Sequence, residues 1–180
     1  MNKSLWLTVM LVLSLSVIPL TAVGQDLKAA SENEKTRLEK EEITKLMIQV
    51  RRLPVSEQES RMGRIWKDPS GSKTPRSDFL FCVGLAYLGN YKAQAYLGSA
   101  YESGRGIVTD SYESYVWYSV ALQNASGDAE AEQKLRKDRD RIKMSLVSVY
   151  PAPSDEELDE LVKERLHRIT EYQSEIGKAG

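Results

Sequence analysis

The stretch AQAYLGSAYESGRGIVTDSYESYVWYSVAL, Ala93 to Leu122, decides how this chain is read. Ala93, Leu97, Ala100 and Tyr101 fall at helical spacing and share one face, and Gly98 beside them lacks the Cβ that would hold a neighbouring helix away. Gly104 and Gly106 supply the backbone freedom that ends a helix and turns the chain, with Ile107 placed to plug the turn. Asp110 is a helix cap. After it Ser114, Trp117, Tyr118, Ala121 and Leu122 form an i, i+3, i+4, i+7, i+8 stripe. Tyr112, Tyr115 and Ser119 line another side, so this second helix is apolar or aromatic nearly all round. Such a helix is either sandwiched between neighbours or presents an aromatic patch.

Sliding the chain against itself by 35 residues places Met62-Gly63 on Leu97-Gly98, Trp66 on Tyr101, Gly71 on Gly106 and Ala86 on Ala121. Two units follow, residues 58–92 and 93–127, each a helix, a turn and a second helix, at a period near those of helical-hairpin arrays.

The second unit resembles a Sel-one-like repeat, a relative of the tetratricopeptide repeat, through Ala93, Leu97-Gly98, Tyr101, Gly104-x-Gly106, Asp110, Trp117-Tyr118 and Ala121. The first unit is a degenerate copy with Pro69 where the turn glycine belongs, and Ser114 stands in the second where the family has a small Ala. The charged segment after Gly127 is similar to the helix that caps such arrays. The resemblance implies a short α-solenoid, a right-handed stack of antiparallel helix pairs that holds other proteins, and it implies no reaction. Capping signals along the chain, with no strand pattern to compete, make the expected fold class all-α.

Working outward, charge divides the chain: 19 of the 43 residues from Asp26 to Asp68 are charged, against 5 of the 44 from Phe79 to Leu122. The middle is therefore the core and the flanks are solvated helices. Four capping boxes, Ser31 with Glu34, Ser56 with Glu59, Asp110 with Glu113 and Ser154 with Glu157, mark expected helix starts. One helix is expected to run to about Leu53, stopped by Pro54, with Ile43, Leu46, Met47, Val50 and Leu53 on one face. Another fits between Asp128 and Val149. The last carries the stripe Leu158, Leu161, Val162, Ile169, Tyr172 and Ile176.

At the amino end, Lys3 is the only charge before Asp26, and the apolar run Leu5 to Leu20 is followed by Ala22-Val23-Gly24. This is the pattern of a secretory signal peptide cleaved before Gln25. The alternative is an uncleaved membrane anchor, since the uncharged stretch is just long enough to span. The division expected is thus residues 1–24 signal peptide, 25–57 charged helix, 58–127 two repeats and 128–180 capping helices, in a periplasmic or secreted protein.

Chemistry has little to work with. One Cys and one His among 180 residues make neither an internal disulfide nor a His/Cys zinc site, and 25 basic against 26 acidic residues argue against a nucleic-acid binder. Cys82 and His167 as a nucleophile pair are weighed against a buried thiol and a surface imidazole, and the latter are favoured. Gly104-Arg-Gly106 lacks the Lys-Ser/Thr ending of a phosphate loop, and the acids from Asp155 to Glu160 suit the first turn of a helix.

No catalytic residue, metal or cofactor is expected. The expected function is a non-enzymatic scaffold of the bacterial cell envelope or secreted space, binding a protein or peptide partner, touching membrane only if the leader stays. An envelope enzyme or peptidoglycan-binding factor is the alternative. Tyr91, at the junction of the units, and Tyr112 and Tyr115, off the Trp117 stripe, are the candidate partner-binding residues, because tyrosine gives large contact area at low entropy cost.

Overall fold

The structure, a computed structural model, describes residues 20–68, 73–148 and 151–178, with side chains from residue 36 onward. Among the described residues there are seven helices and no strand: α1 (Leu20–Arg51), α2 (Val55–Lys67), α3 (Pro75–Tyr87), α4 (Tyr91–Ser103), α5 (Ser111–Asn124), α6 (Ala129–Leu146) and α7 (Asp155–Lys178). The fold is all-α. The chain falls into two units, Met1–Glu39 and Lys40–Gly180. In the first, the described part is helix from Leu20. The packing and the sites described below concern the second, which begins inside α1 at Lys40.

The charge contrast locates the core correctly. α5 packs mainly on α4 and α6 and also on α7, while α3 lies against α4. This explains the all-round apolar character of α5: Ser114 to Ala121 are buried without interruption. The helix is sandwiched, and each large side chain so enclosed contributes about 1.5–3 kcal/mol over its exposed state. The expected stripes of the outer helices hold for Ile43, Met47 and Val50 of α1 and Leu158, Val162, Ile169, Tyr172 and Ile176 of α7, all buried, while Leu46 and Leu53, which lies past the end of α1, are half-buried. Leu161 is the exception on α7, at 37% exposure.

Two of the expected helix starts are wrong. α1 is described from Leu20 and runs through both Gln25 and Ser31, so the Ser31 and Glu34 pair starts nothing. α2 begins at Val55 behind Pro54, whose fixed φ suits a helix entry, and no side chain caps it. Ser56 and Glu59 therefore lie inside the helix, and so does the division drawn at residue 57. At Asp110 half the box forms: its carboxylate accepts from the Tyr112 and Glu113 amides, while Glu113 turns away to Arg165. Only Ser154 and Glu157 satisfy one another in both directions, at 2.7 and 3.1 Å. The caps that sequence reading passed over are Asn90, which accepts from the Ala93 amide, and Asp128, which accepts from that of Ala131.

The signature glycines do different jobs. A Cβ on Gly98 would lie 2.8 Å from two ring carbons of Tyr118, so its absence is what lets α5 lie close to α4. The Ser114 hydroxyl uses that proximity to donate to the Gly98 carbonyl at 2.9 Å. Gly104 ends α4 in the left-handed region, with φ 72°. At Gly106, φ is 76° and a Cβ would lie 2.5 Å from the Pro75 carbonyl oxygen, so the turn is seated on the start of α3. Gly63, the counterpart of Gly98 in the 35-residue alignment, has nothing within 4 Å of where its Cβ would be. The degenerate unit thus keeps the glycine without the contact. Pro69 and Gly71 lie outside the described residues, as does the apolar run from Leu5 to Pro19; among the described residues no helix is long and apolar enough to cross a membrane.

Candidate functional site

A cleft of about 460 Å³ is walled by three helices. α2 contributes Ile65 and Trp66, α4 a row from Tyr91 to Glu102, and α6 a row from its cap Asp128 to Arg141, with Tyr118 of α5 reaching in. The helical period puts Tyr91, Ala95, Ser99 and Glu102 on one side of α4, which is why a single surface of that helix supplies its wall.

The cleft is aromatic at its base and charged at its rim. The Tyr91 hydroxyl donates to Asp128 Oδ2 at 2.7 Å. That hydrogen bond, with some burial, pushes the Tyr91 phenol up to about 12, and it is the leading reason that the Asp128 carboxyl lies below its ordinary range. Across the cleft the Lys134 ammonium sits 5.5 Å from the centre of the Trp66 ring, within reach of a cation–π attraction. Arg141 pairs with both Glu102 and Asp138, and Tyr118 donates to Glu102 at 3.2 Å. Burial pushes the Tyr118 phenol to about 12. Tyr96 also lines this cleft, and its buried hydroxyl has no hydrogen-bond partner among the described residues.

The three candidate tyrosines part company. Tyr91 is half-buried at the cleft with its hydroxyl committed to Asp128. Tyr112 is 40% exposed near the start of α5. Tyr115 is buried in the core, so the expectation that it offers an unburied anchor fails. The reason is geometric: Tyr115 lies within the run of α5 that its neighbours enclose on every side. The signature residues Ala93, Leu97, Gly98, Trp117, Tyr118 and Ala121 are buried, and Tyr101 is partly so, with its ring edge-on to Phe79 at 5.6 Å.

Cys82 has no exposed surface, and burial above all pushes its thiol well up from the ordinary value, which keeps it protonated. His167 is on the solvent side of α7. Neither arrangement makes an activated nucleophile. Among the described residues no group of three or more His, Cys, Asp or Glu is placed to hold a metal ion.

Sequence reading missed three residues. Gln94 is fully buried and joins three helices: its Nε2 donates to the Ala86 carbonyl and its Oε1 accepts from Asn124, both at 2.9 Å. The signal was a lone amide in an otherwise small or apolar run. Gly84 lies so near α1 that a Cβ would meet the Leu46 carbonyl at 2.8 Å. Arg165, hidden in a charged helix, pairs with Glu113 at 2.6 Å and lies 4.7 Å from the centre of the Trp117 ring. Compared with protein families, curated proteins and solved structures, the chain matches none.

Proposed function

We propose that this chain is a non-enzymatic interaction module of the bacterial cell envelope or secreted space, built as a short α-solenoid of antiparallel helix pairs resembling Sel-one-like repeats. Its partner is a protein segment held in the cleft between α2, α4 and α6.

One observation carries this reading: the cleft takes its walls from alternate helices of the chain, α2, α4 and α6, and only a single side chain from the helices between. A stack of helix pairs produces that arrangement, because each pair turns its leading helix to the same side. Antiparallel pairing within α4 and α5 is supported at both ends. Beside the turn the Asp110 amide donates to the Tyr101 carbonyl, and at the far end Asn124 reaches Gln94. Trp66 and Tyr91 give the cleft apolar anchors, and the mixed charges of its rim suit a polar chain rather than a lipid tail.

The test compares retention of envelope proteins by the immobilised chain with retention by Trp66→Ala and Lys134→Glu, beside a sedimentation assay on isolated sacculi. The expected result is a set of proteins that the wild type retains and both variants lose, with unchanged melting and no sacculus binding. Sacculus binding unaffected by either change would replace this reading with that of a peptidoglycan-binding factor.

A further inference from the structure

A second surface lies away from that cleft and shares none of its residues. Tyr112 of α5, Leu161 of α7 and the prolines of the connection before α7, Pro151 and Pro153, line an open groove of about 470 Å³. Its charged lining is of one sign: Glu157, Glu160 and Glu164. Tyr112 and Leu161 are also among the few large apolar side chains that this all-helical core leaves exposed. A recess of about 170 Å³ continues the groove between α5 and α7, sharing Tyr112, Leu161 and Glu164 with it.

The recess holds Glu113, Arg165 and Arg168 as well. Arg165 is committed to Glu113 Oε1 and to the face of Trp117, and Arg168 lies 3.9 Å from Glu164. What is left over is an acceptor: Glu113 Oε2 is buried without a hydrogen-bond partner among the described residues. A buried carboxylate oxygen without a donor is costly, so a donor brought in by a ligand gains more there than at a solvated acid.

We propose that this groove docks a basic segment of a partner protein, an aliphatic or aromatic anchor on the Tyr112 and Leu161 floor with flanking Lys or Arg toward Glu160, Glu164 and Glu113. The acidic lining repels nucleic-acid phosphate and anionic lipid headgroups alike. Rim charges act chiefly through steering and salt dependence, and the anchor supplies the residence time.

The test titrates the isotope-labelled full chain with two synthetic peptides that share a Leu-Phe-Leu anchor and differ only in Lys or Glu flanks, and with phosphatidylglycerol vesicles. The Lys peptide is expected to bind about tenfold more tightly than the Glu peptide. It should shift the amides of Tyr112, Leu161 and Glu164, lose affinity with added salt, and lose it again in Tyr112→Ala. In the double variant Glu160→Lys with Glu164→Lys, both positions exposed, the preference between the peptides should reverse. Equal binding of the two peptides, shifts confined to the α2, α4 and α6 cleft, or tighter binding of the vesicles overturns the proposal. So does self-association that Tyr112→Ala abolishes, since the occupant is then a second copy. Trp66→Ala leaves the Lys peptide bound, so failure of this proposal and failure of the cleft reading are separate results.

Discussion

Gly98 and Tyr118 touch backbone to ring: the hydrogen that stands for a side chain on Gly98 points at Cγ and Cδ1 of the tyrosine, where a methyl would lie 2.8 Å away. Gly98→Ala should therefore cost about 1–3 kcal/mol, as overpacking does in a core that cannot yield. Gly63→Ala is the control. With nothing near its Cβ and an exposed helical setting, it should stabilise by roughly 0.5–1 kcal/mol through propensity alone. Thermal melts of the two variants check this, and equal midpoints would remove the close-approach role from Gly98.

Gly106→Ala should be the worse of the two turn substitutions. Both turn glycines have positive φ, but a Cβ on Gly104 is crowded by a methyl of Thr109 at 3.1 Å, with the Ile107 carbonyl at an ordinary 3.7 Å, whereas on Gly106 it lies 2.5 Å from the Pro75 backbone. Gly104→Ala should lose about 1 kcal/mol from conformation, and Gly106→Ala more than twice that as the backbone clash is added. Urea denaturation measures both.

Gln94→Leu should lose about 1–2 kcal/mol although it keeps size and gains apolarity, because Ala86 and Asn124 each lose a partner. Gln94→Glu should be worse, since a carboxylate cannot donate to the Ala86 carbonyl and its charge would be fully buried. A Leu variant as stable as wild type would mean that the amide is merely tolerated.

Tyr115→Ala should lower stability by roughly 3–5 kcal/mol, in line with other buried aromatics cut to Ala. Tyr112→Ala should change it little, since Tyr112 is 40% exposed. Tyr91→Phe keeps the ring and removes only the bond to Asp128. It should return the Asp128 carboxyl toward its ordinary range, which carboxylate NMR titration reads directly.

Lys40 holds both Glu171 and Glu175, at 2.7 and 2.6 Å. The bond to Lys40 lowers the Glu171 carboxyl, so the contribution of the pair is present above the ordinary glutamate value near about 4.3 and fades as pH falls through the lowered one. The bonds to Glu171 and then Glu175 raise the Lys40 ammonium, so the contribution is whole below the ordinary lysine value of about 10.4 and fades as pH rises through the raised one. The difference in melting temperature between wild type and Lys40→Met should be flat between these limits and shrink toward both ends. A difference that persists at low pH and is lost only at high pH would assign the effect of Lys40 to the contact of its ammonium with the Tyr172 ring instead.

Local chemistry was legible wherever it acts alone. The Ala93 to Leu122 pattern contains its own turn, cap and stripe, and each is where the spacing places it. The Ser56 start went astray where two signals compete, since Pro54 fixes φ one residue ahead of Val55 and so outweighs the box. At Asp110 the start holds, but Glu113 gives up its half of the box for Arg165, 52 residues away. Long-range partners of that kind leave no mark on a local pattern. The same holds for the sites. Aromatic content pointed to Tyr91, Tyr112 and Tyr115, but which of them reaches solvent depends on which helices cover α5. The cleft itself assembles from α2, α4 and α6 and has no contiguous motif to be read.

Tyr87 bears on one side the edge of Trp117 and on the other the stacked ring of Tyr172, 5.3 Å away, while Gln173 donates to the Tyr87 carbonyl across 86 residues. The chain is made from its amino end, and at ribosomal rates of about 5–20 residues per second that separation amounts to several seconds of synthesis. Throughout that interval the face of Tyr87 that Tyr172 covers waits for α7. A stop codon placed between Asp155 and Tyr172 should accordingly yield not a shorter stable protein but one that is cleared by proteases or aggregates.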